Sequence, residues 1–377
     1  MSETLKPETA EQVLDAVKWA AASESPLAVK GQGSKEGFGR AVEADCWLDL
    51  SGLTGIGCYE PNELFMTAGA ATTLAEIEAA LAAEGQRLAF EPMDHRGLLG
   101  TTGEPTIGGV VAGNVSGPRR VQGGAARDFM LGVRFVDGAG QVIKNGGRVM
   151  KNVTGYDLVK LMCGSWGTLG VLTEVSFKVL PKPAFEATLV LHGLDAAASV
   201  AALSSALGSP FEVTGAAHEP AEGGRTLLRL EGFEASVRYR LNQLTERLGG
   251  EVTVLEDEDS TEVWRGLRDV TAFAGTEGDV WRLSVKPSDA PAVLDRMGGE
   301  VRTLLDWGGG LIWALAPEGT DLRGRLHGVG GHATRVRAKD TALPVFHPEP
   351  APLAQVSAGL RQRFDPRGIL NPGLMGT

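Results

Sequence analysis

Three glycine-rich stretches constrain this chain more than anything else in it. They are VKGQGSKEGFG at 29–39, TIGGVVAGNVSGPRR at 106–120 and GSWGTLGVL at 164–172. Glycine bares the backbone amides and admits conformations closed to other residues, so such loops mark turns or close approach to a ligand. In the first, a strand-like run enters G-x-G-x-x-x-G. The spacing is not that of a dinucleotide fingerprint, no clean helix follows Gly37, and Asp49 sits in a strand pattern. No G-K-[ST] closes a phosphate loop either. What remains is a row of N–H groups at Gly31, Gln32, Gly33 and Ser34, which suits either a pyrophosphate or an ordinary surface turn. The second stretch reads neither as a helix nor as a clean strand. Gly108 and Gly109 follow a short strand-like PTI, with Asn114, Ser116 and Gly117 downstream, and such small residues let a flat ring lie against the backbone. The third, with glycines at 164, 167 and 170, reads by itself as a helix end and a turn before an apolar strand.

Composition narrows the class. A length of 377 residues suggests about two domains. Hydrophobic residues at 43% support a real core, and 52 glycines are about twice the usual share. No apolar run reaches membrane-spanning length, and the acidic, amphipathic start lacks the order of a secretory signal. The expected location is cytoplasmic, or peripheral at the inner membrane through partner subunits. A net charge of −11 argues against nucleic acid as a partner. Cys46, Cys58 and Cys163 form no CxxC, so no iron–sulfur or zinc site is expected, and no metal.

Along the chain, residues 8–22 read as a helix capped by Thr9, followed by strands in PLAVK, DCWLDL and FMTAG and a helix in LAEIEAALAA. Asp137-Gly138 separates two strand-like runs, a hairpin signal. After Pro181 and Pro183 the texture changes to repeated strand–helix units through about residue 332, an α+β module with a sheet covered by helices. The stretch APAVLDRMGGEVRTLL reads as helix throughout. The tail, from the Pro-rich connector onward, reads as a short helix and an irregular end.

In order, VKGQGS, FEPMD, TIGGVVAGNVSGPRRVQGGAARDFMLGVRFVDGAG, VMKNVTGYDLVKLMCGSWGTLGVLTEVSFKVLP and FDPRGILNPG resemble the FAD-binding oxidoreductases of the vanillyl-alcohol oxidase/PCMH type. Within them the chain most resembles the FAD-binding E subunits of bacterial glycolate oxidases. The resemblance covers residues 1 to about 183 and the last dozen residues. It implies an α+β protein: a two-lobed PCMH-type FAD-binding domain at 1–183 (lobes about 1–90 and 91–183), a smaller α+β cap at 184–335, and a segment at 336–377 returning to the FAD domain. It implies that Val29, Lys30, Gly31, Gln32, Gly33 and Ser34 hold the pyrophosphate, and that Pro92, Met93 and Asp94 line the adenosine and ribityl side. Thr106, Ile107, Gly108, Gly109, Asn114 and Ser116 would pass along the ring and ribityl chain. Gly167, Gly170 and Val171 would close over the flavin or adenine side, with Asn371 approaching from the tail. The first loop carries no His or Cys for a covalent bond, so FAD is expected to be non-covalent. Trp166 stands where the larger glycolate oxidase subunit carries Glu. The histidine pair that holds a metal in some relatives is not evident, His327 and His332 being the nearest match.

The implied reaction is oxidation of a small 2-hydroxy acid, glycolate to glyoxylate, by hydride transfer to flavin. It needs a cation for the carboxylate, preferably Arg for its fork geometry, and a base for the hydroxyl proton. Arg282 and Lys286 share a strand face in WRLSVK, as do Arg335, Arg337 and Lys339 in TRVRAK, and His347 leads into the tail. Arg282, Lys286, Arg337 and His347 are the candidates, Arg282 first because its strand reads as central; no base is named. Arg119 and Arg120 read equally as phosphate partners or as solvated loop ends. A second FAD-binding subunit and a separate iron–sulfur subunit are the expected partners. The alternatives are a non-catalytic FAD-binding structural subunit, or another FAD-linked 2-hydroxy-acid dehydrogenase.

Overall fold

The computed structural model describes residues 3–38, 42, 44–147, 155–221, 223–339 and 343–375. Gly39 of the first loop and residues 149–154 of the fourth motif lie outside them. The chain divides into two compact units: Met1–Ser116, Ala125–Pro181 and Pro348–Thr377 in one, Gly117–Gly124 and Lys182–His347 in the other.

The first unit holds two main sheets. A parallel three-stranded sheet runs in the order Glu3–Leu5, Cys46–Asp49, Leu27–Lys30. The helix Ala10–Ser23 begins where Thr9 caps it, the Thr9 hydroxyl accepting from the Gln12 amide. Its buried Val13, Val17 and Ala20 pack with Leu27, Leu48 and Leu370. The tail is bound into this sheet: Leu27 N–H donates to the Ile369 carbonyl at 2.7 Å, and Asn371 N–H donates to the Leu27 carbonyl at 2.9 Å. An antiparallel five-stranded sheet runs Ile56–Glu60, Phe65–Gly69, Val171–Lys178, Met130–Val136, Val142–Gly146. The last two strands form the hairpin expected around Asp137. The lobe boundary expected near residue 90 falls earlier, because Phe65–Gly69 pairs with Val171–Lys178 and the chain has entered the second sheet by Ile56. Sheet pairing, not sequence continuity, sets that boundary.

The second unit is one antiparallel eight-stranded sheet with helices. Its strand order is Val252–Glu256, Phe185–His192, Arg225–Gly232, Gly215–Glu219, Arg302–Asp306, Leu311–Ala316, Asp279–Val285, Gly331–Arg337. The helices Ala196–Leu207 and Glu234–Leu248 bury Leu203, Val237, Leu241 and Leu244 in one apolar cluster with the first strands. The helix Ala290–Met297 buries Val293 and Met297 with Trp281 and Ile312 in another. Three readings are corrected here. The helix read across APAVLDRMGGEVRTLL stops at Met297, where Gly298 takes a φ of +83°, and Arg302–Asp306 is a strand. Arg282 sits on the strand next to the sheet edge, not on a central one. The return to the first unit comes at residue 348 and not 336, because Gly331–Arg337 is the edge strand of this sheet and Arg335 N–H donates to the Val345 carbonyl.

Candidate cofactor and anion sites

In the first unit the loop after strand Leu27–Lys30 is shaped from outside. The Gln32 carbonyl packs so closely on Gly103 that a Cβ there would collide with it. The Gly33 carbonyl accepts from Glu36 N–H, the Ser34 carbonyl from the Thr101 hydroxyl at 2.8 Å, and the Lys35 carbonyl from Phe38 N–H. The carbonyls are thus turned to protein partners. The amides of Gln32, Gly33, Ser34 and Lys35 find no acceptor among the described residues. Consecutive unmatched N–H groups with their carbonyls turned away form a concavity for an anion. Gly31 belongs to the same wall, since a Cβ on it would lie 2.8 Å from the Thr106 hydroxyl.

TIGGVVAGN is neither loop nor strand. Residues Ile107–Gly113 form a short helix with Thr106 as N-cap, its hydroxyl accepting from Gly109 N–H at 3.2 Å. Gly108 is required because its N–H donates to the Ala70 carbonyl at 2.7 Å and a Cβ would sit 2.6 Å from that oxygen. Glycine here lets the helix lie against the Ala70 backbone. Gly109 faces the Lys35 ammonium, 3.3 Å from where its Cβ would be.

The structure thus brings Gln32, Gly33, Ser34, Thr106 and Gly109 to one concavity, and adds Lys35 and Gly103, which the sequence reading missed. GS at 33–34 drew attention to the glycines and away from the lysine beside them. Other predicted residues hold the scaffold. Val29 N–H donates to the Asn371 side-chain oxygen at 2.7 Å, and the Asn371 amide donates to the Trp166 carbonyl at 2.9 Å. Gly167, at a φ of +72°, leaves room for that amide. Lys30 pairs with Glu36 at 3.0 Å and lies over Trp47. Asn114 ends the short helix in a left-handed turn and accepts from Arg127 N–H. Ser116 accepts from Ala126 N–H. Gly170 gives way to Phe135, Val171 lies in the core, and Ile107 is fully buried. Met93 is buried beside Pro92, and Asp94 is clasped by Arg96, which also pairs with Glu104. Arg96 holds the Asp94 carboxyl below its ordinary value against the opposing pull of desolvation. Trp166 stacks on Phe38 with centroids 4.3 Å apart.

The second unit carries a different site, built from side chains. The Arg282 and Arg120 guanidiniums lie 5.1 and 4.6 Å from the Trp307 ring centroid. Trp307 is held by Asp306, which caps its N–H, and by its own indole N–H donating to the Gly117 carbonyl. Among the described residues Arg282 has no hydrogen-bond acceptor and no ion-pair partner. Burial, then the neighbouring Arg120 charge, lower its pKa to about 10, with Asp306 opposing, so it stays charged at neutral pH. His332, opposite Ser284 on the edge strand, is held below its usual range by burial and by Arg282, His347 and Arg120. Arg119 is bound to Glu231. Arg119 and Arg120 therefore belong to this unit, and neither is a plain solvated loop end.

The other expected cations are placed elsewhere. Lys286 lies beyond its strand and is exposed. Arg337 donates to the carbonyls of Phe273 and Thr276. Arg335 is fully buried against Asp279, and Lys339 pairs with Glu318. His347 accepts from Ala333 N–H, and burial lowers its pKa. Among the described residues no group of His, Cys, Asp or Glu is arranged to hold a metal.

The chain carries the fold of the FAD-dependent oxidoreductases of the PCMH type. The description "FAD binding domain" matches residues 2–146. An alkyldihydroxyacetonephosphate synthase structure shares the fold, with a TM-score of 0.71 at 15% identity, covering 98% of this chain and 76% of that one. A D-lactate dehydrogenase of Archaeoglobus fulgidus is 30% identical over 179 residues, 47% of this chain and 38% of that enzyme. The glycolate oxidase subunit GlcE of Escherichia coli (strain K12) is 40% identical over 366 residues, 96% of each chain. This chain belongs to the GlcE family.

Proposed function

We propose that this chain is the FAD-binding subunit of a glycolate-oxidising complex and that its second unit binds the substrate. FAD, when bound in the first unit, supplies the hydride acceptor for the α-carbon of a 2-hydroxy acid. The four loop amides hold its diphosphate, and with no His or Cys in residues 29–38 the cofactor stays non-covalent.

The observation that carries the substrate reading is Arg282. A guanidinium drawn partly out of water, with no acceptor among the described residues, is costly unless an anion completes it. A carboxylate matches its fork, and Arg120 adds a second positive charge. His332, whose pKa is lowered by its surroundings, is the candidate to accept the hydroxyl proton.

The names of the relatives, glycolate oxidase subunits GlcE and GlcD, support a multi-subunit assembly. Electrons then leave this chain for a partner, for which a second FAD-binding subunit and an iron–sulfur subunit are the candidates. No helix among the described residues is long and apolar enough to cross a membrane. Residence in the cytoplasm, or at the inner membrane through partners, fits that observation.

Anaerobic titration of the purified complex with glycolate and D-lactate tests the reading. Bleaching of this chain's flavin, weakened in Arg282→Met with FAD retained, supports it. Full bleaching in Arg282→Met removes the arginine from the substrate site. A flavin in this chain that never bleaches makes it a structural FAD subunit. Faster bleaching by another 2-hydroxy acid replaces glycolate as the substrate.

A further inference from the structure

Lys35 is a cation without a partner inside the cofactor domain. Its ammonium makes no hydrogen bond and no ion pair among the described residues. It stands at Gly109, in the first turn of the helix capped by Thr106, and its own amide is one of the four unmatched donors of the loop. The surrounding charges are otherwise engaged. Asp94 is the carboxylate that acts on it electrostatically, but Asp94 is clasped by Arg96, which also holds Glu104. Glu36, its chain neighbour, pairs with Lys30. His95 follows Asp94, and residues 107–109 carry no charge at all.

We propose that Lys35 is a cofactor-anchoring residue whose ammonium completes the diphosphate cradle, so that FAD is retained by one charge as well as by backbone amides. The proposal rests on FAD occupying this loop and adds the residue that decides how tightly it stays. A half-buried lysine whose nearest carboxylate, Asp94, is already clasped by Arg96 is less stable in the empty protein than in water. A diphosphate against it turns that same charge into binding energy. The arrangement couples cofactor occupancy to stability: the empty chain is strained and the loaded chain is not. It also couples affinity to pH. Burial lowers the Lys35 pKa to about 8 in the empty site, with Asp94 opposing. A bound diphosphate raises it again, so FAD binding takes up a proton above that pH and weakens as pH rises.

The experiment titrates the full-length, cofactor-stripped protein with FAD, and separately with ADP, which carries the diphosphate without the flavin. Binding is followed by flavin fluorescence and by calorimetry, in wild type, Lys35→Met and Lys35→Arg. Lys35→Met is expected to weaken both ligands about tenfold or more at neutral pH, the scale of one charge-assisted contact. Lys35→Arg should keep most of the affinity. Wild-type affinity should fall as pH is raised through about 8, while Lys35→Met shows no such fall and the arginine variant stays flat. The empty Lys35→Met protein should melt higher than the empty wild type, a change that a merely disrupted loop would not give. Equal affinity of wild type and Lys35→Met for FAD, with both folded, overturns the proposal. Wild type that binds neither FAD nor ADP would instead overturn the reading of the loop itself.

Discussion

The two sites use opposite materials. The cradle in the first unit is made of backbone: four consecutive amides, positioned because glycines at 31, 33, 103, 108 and 109 let segments far apart in sequence touch. The cation cluster in the second unit is made of side chains: Arg120 from a short segment of eight residues, Arg282 and His332 from neighbouring strands, and Trp307 from a tight turn. A backbone site tolerates most side-chain changes and fails when a Cβ intrudes. A side-chain site is indifferent to backbone detail and fails when one charge is removed. Lys35 crosses the division, as the one side chain we place in a backbone-built site.

The hardest break should come from Gly108→Val. Its side chain would start 2.6 Å from the Ala70 carbonyl and force the helix Ile107–Gly113 away from the loop. Loss of flavin absorbance from the purified protein is expected, with the proteolytic pattern of the second unit unchanged. A fully yellow Gly108→Val protein would show that the helix does not shape the cradle.

Next in size is Arg335→Met, which takes the paired guanidinium from buried Asp279 and leaves its carboxylate the Gly319 N–H at 3.0 Å. Both side chains are about 1% exposed, and breaking such a pair costs about 3–5 kcal/mol. Chemical denaturation would read this as an early transition. If FAD content stays normal in that variant, the two sites are separable, as their different construction implies.

His218 gives a pH handle on the second unit alone. It is buried, bonded to the Thr226 hydroxyl, and its pKa is lowered by burial to about 4. The unfolded chain, with an ordinary histidine near 6.5, binds a proton that the folded chain refuses. Stability from this group is therefore present above the ordinary value and lost as pH falls from about 6.5 to about 4, about 3 kcal/mol in all. His218→Gln should flatten the acid limb of the stability profile. An unchanged limb would mean that other groups carry it.

Arg282→Met should raise KM for the acid about 10- to 100-fold, the range for one buried charge-assisted contact, with FAD content unchanged. Arg282→Lys should recover part of it, since a lysine keeps the charge but loses the fork. Smallest is Asn371→Ala. It removes the bonds to Val29 N–H and to the Trp166 carbonyl, at about 1–3 kcal/mol. The tail should loosen, seen as faster amide exchange at residues 369–371, before FAD is lost.

How far each site could be read from the sequence follows from the same contrast. Glycine is a visible token of backbone geometry, so VKGQGS and TIGG pointed to the cradle directly. Even there the helical form of TIGGVVAG was hidden, because two adjacent glycines argue against a helix and only the Thr106 cap and the contact with Ala70 make one. Gly170 and Val171 were read as cofactor contacts and serve packing, because a glycine that makes room for Phe135 looks the same in sequence as one that makes room for a ligand. Arg282 was picked out because its strand reads as central; the strand lies next to the edge, and what singles Arg282 out is its place over the Trp307 and Trp313 rings.

The sequence by itself determined the FAD-binding class, the two-part organisation and the glycine loop whose amides stand unmatched, because those depend on local backbone freedom and on motifs in a fixed order. Only the tertiary structure decided which cations remain unspent. Arg335 and Arg337 have protein partners, whereas among the described residues Arg282 has none and Lys35 stands unpaired beside Gly109. Whether a charge is satisfied depends on what distant segments bring to it, and no local pattern records that.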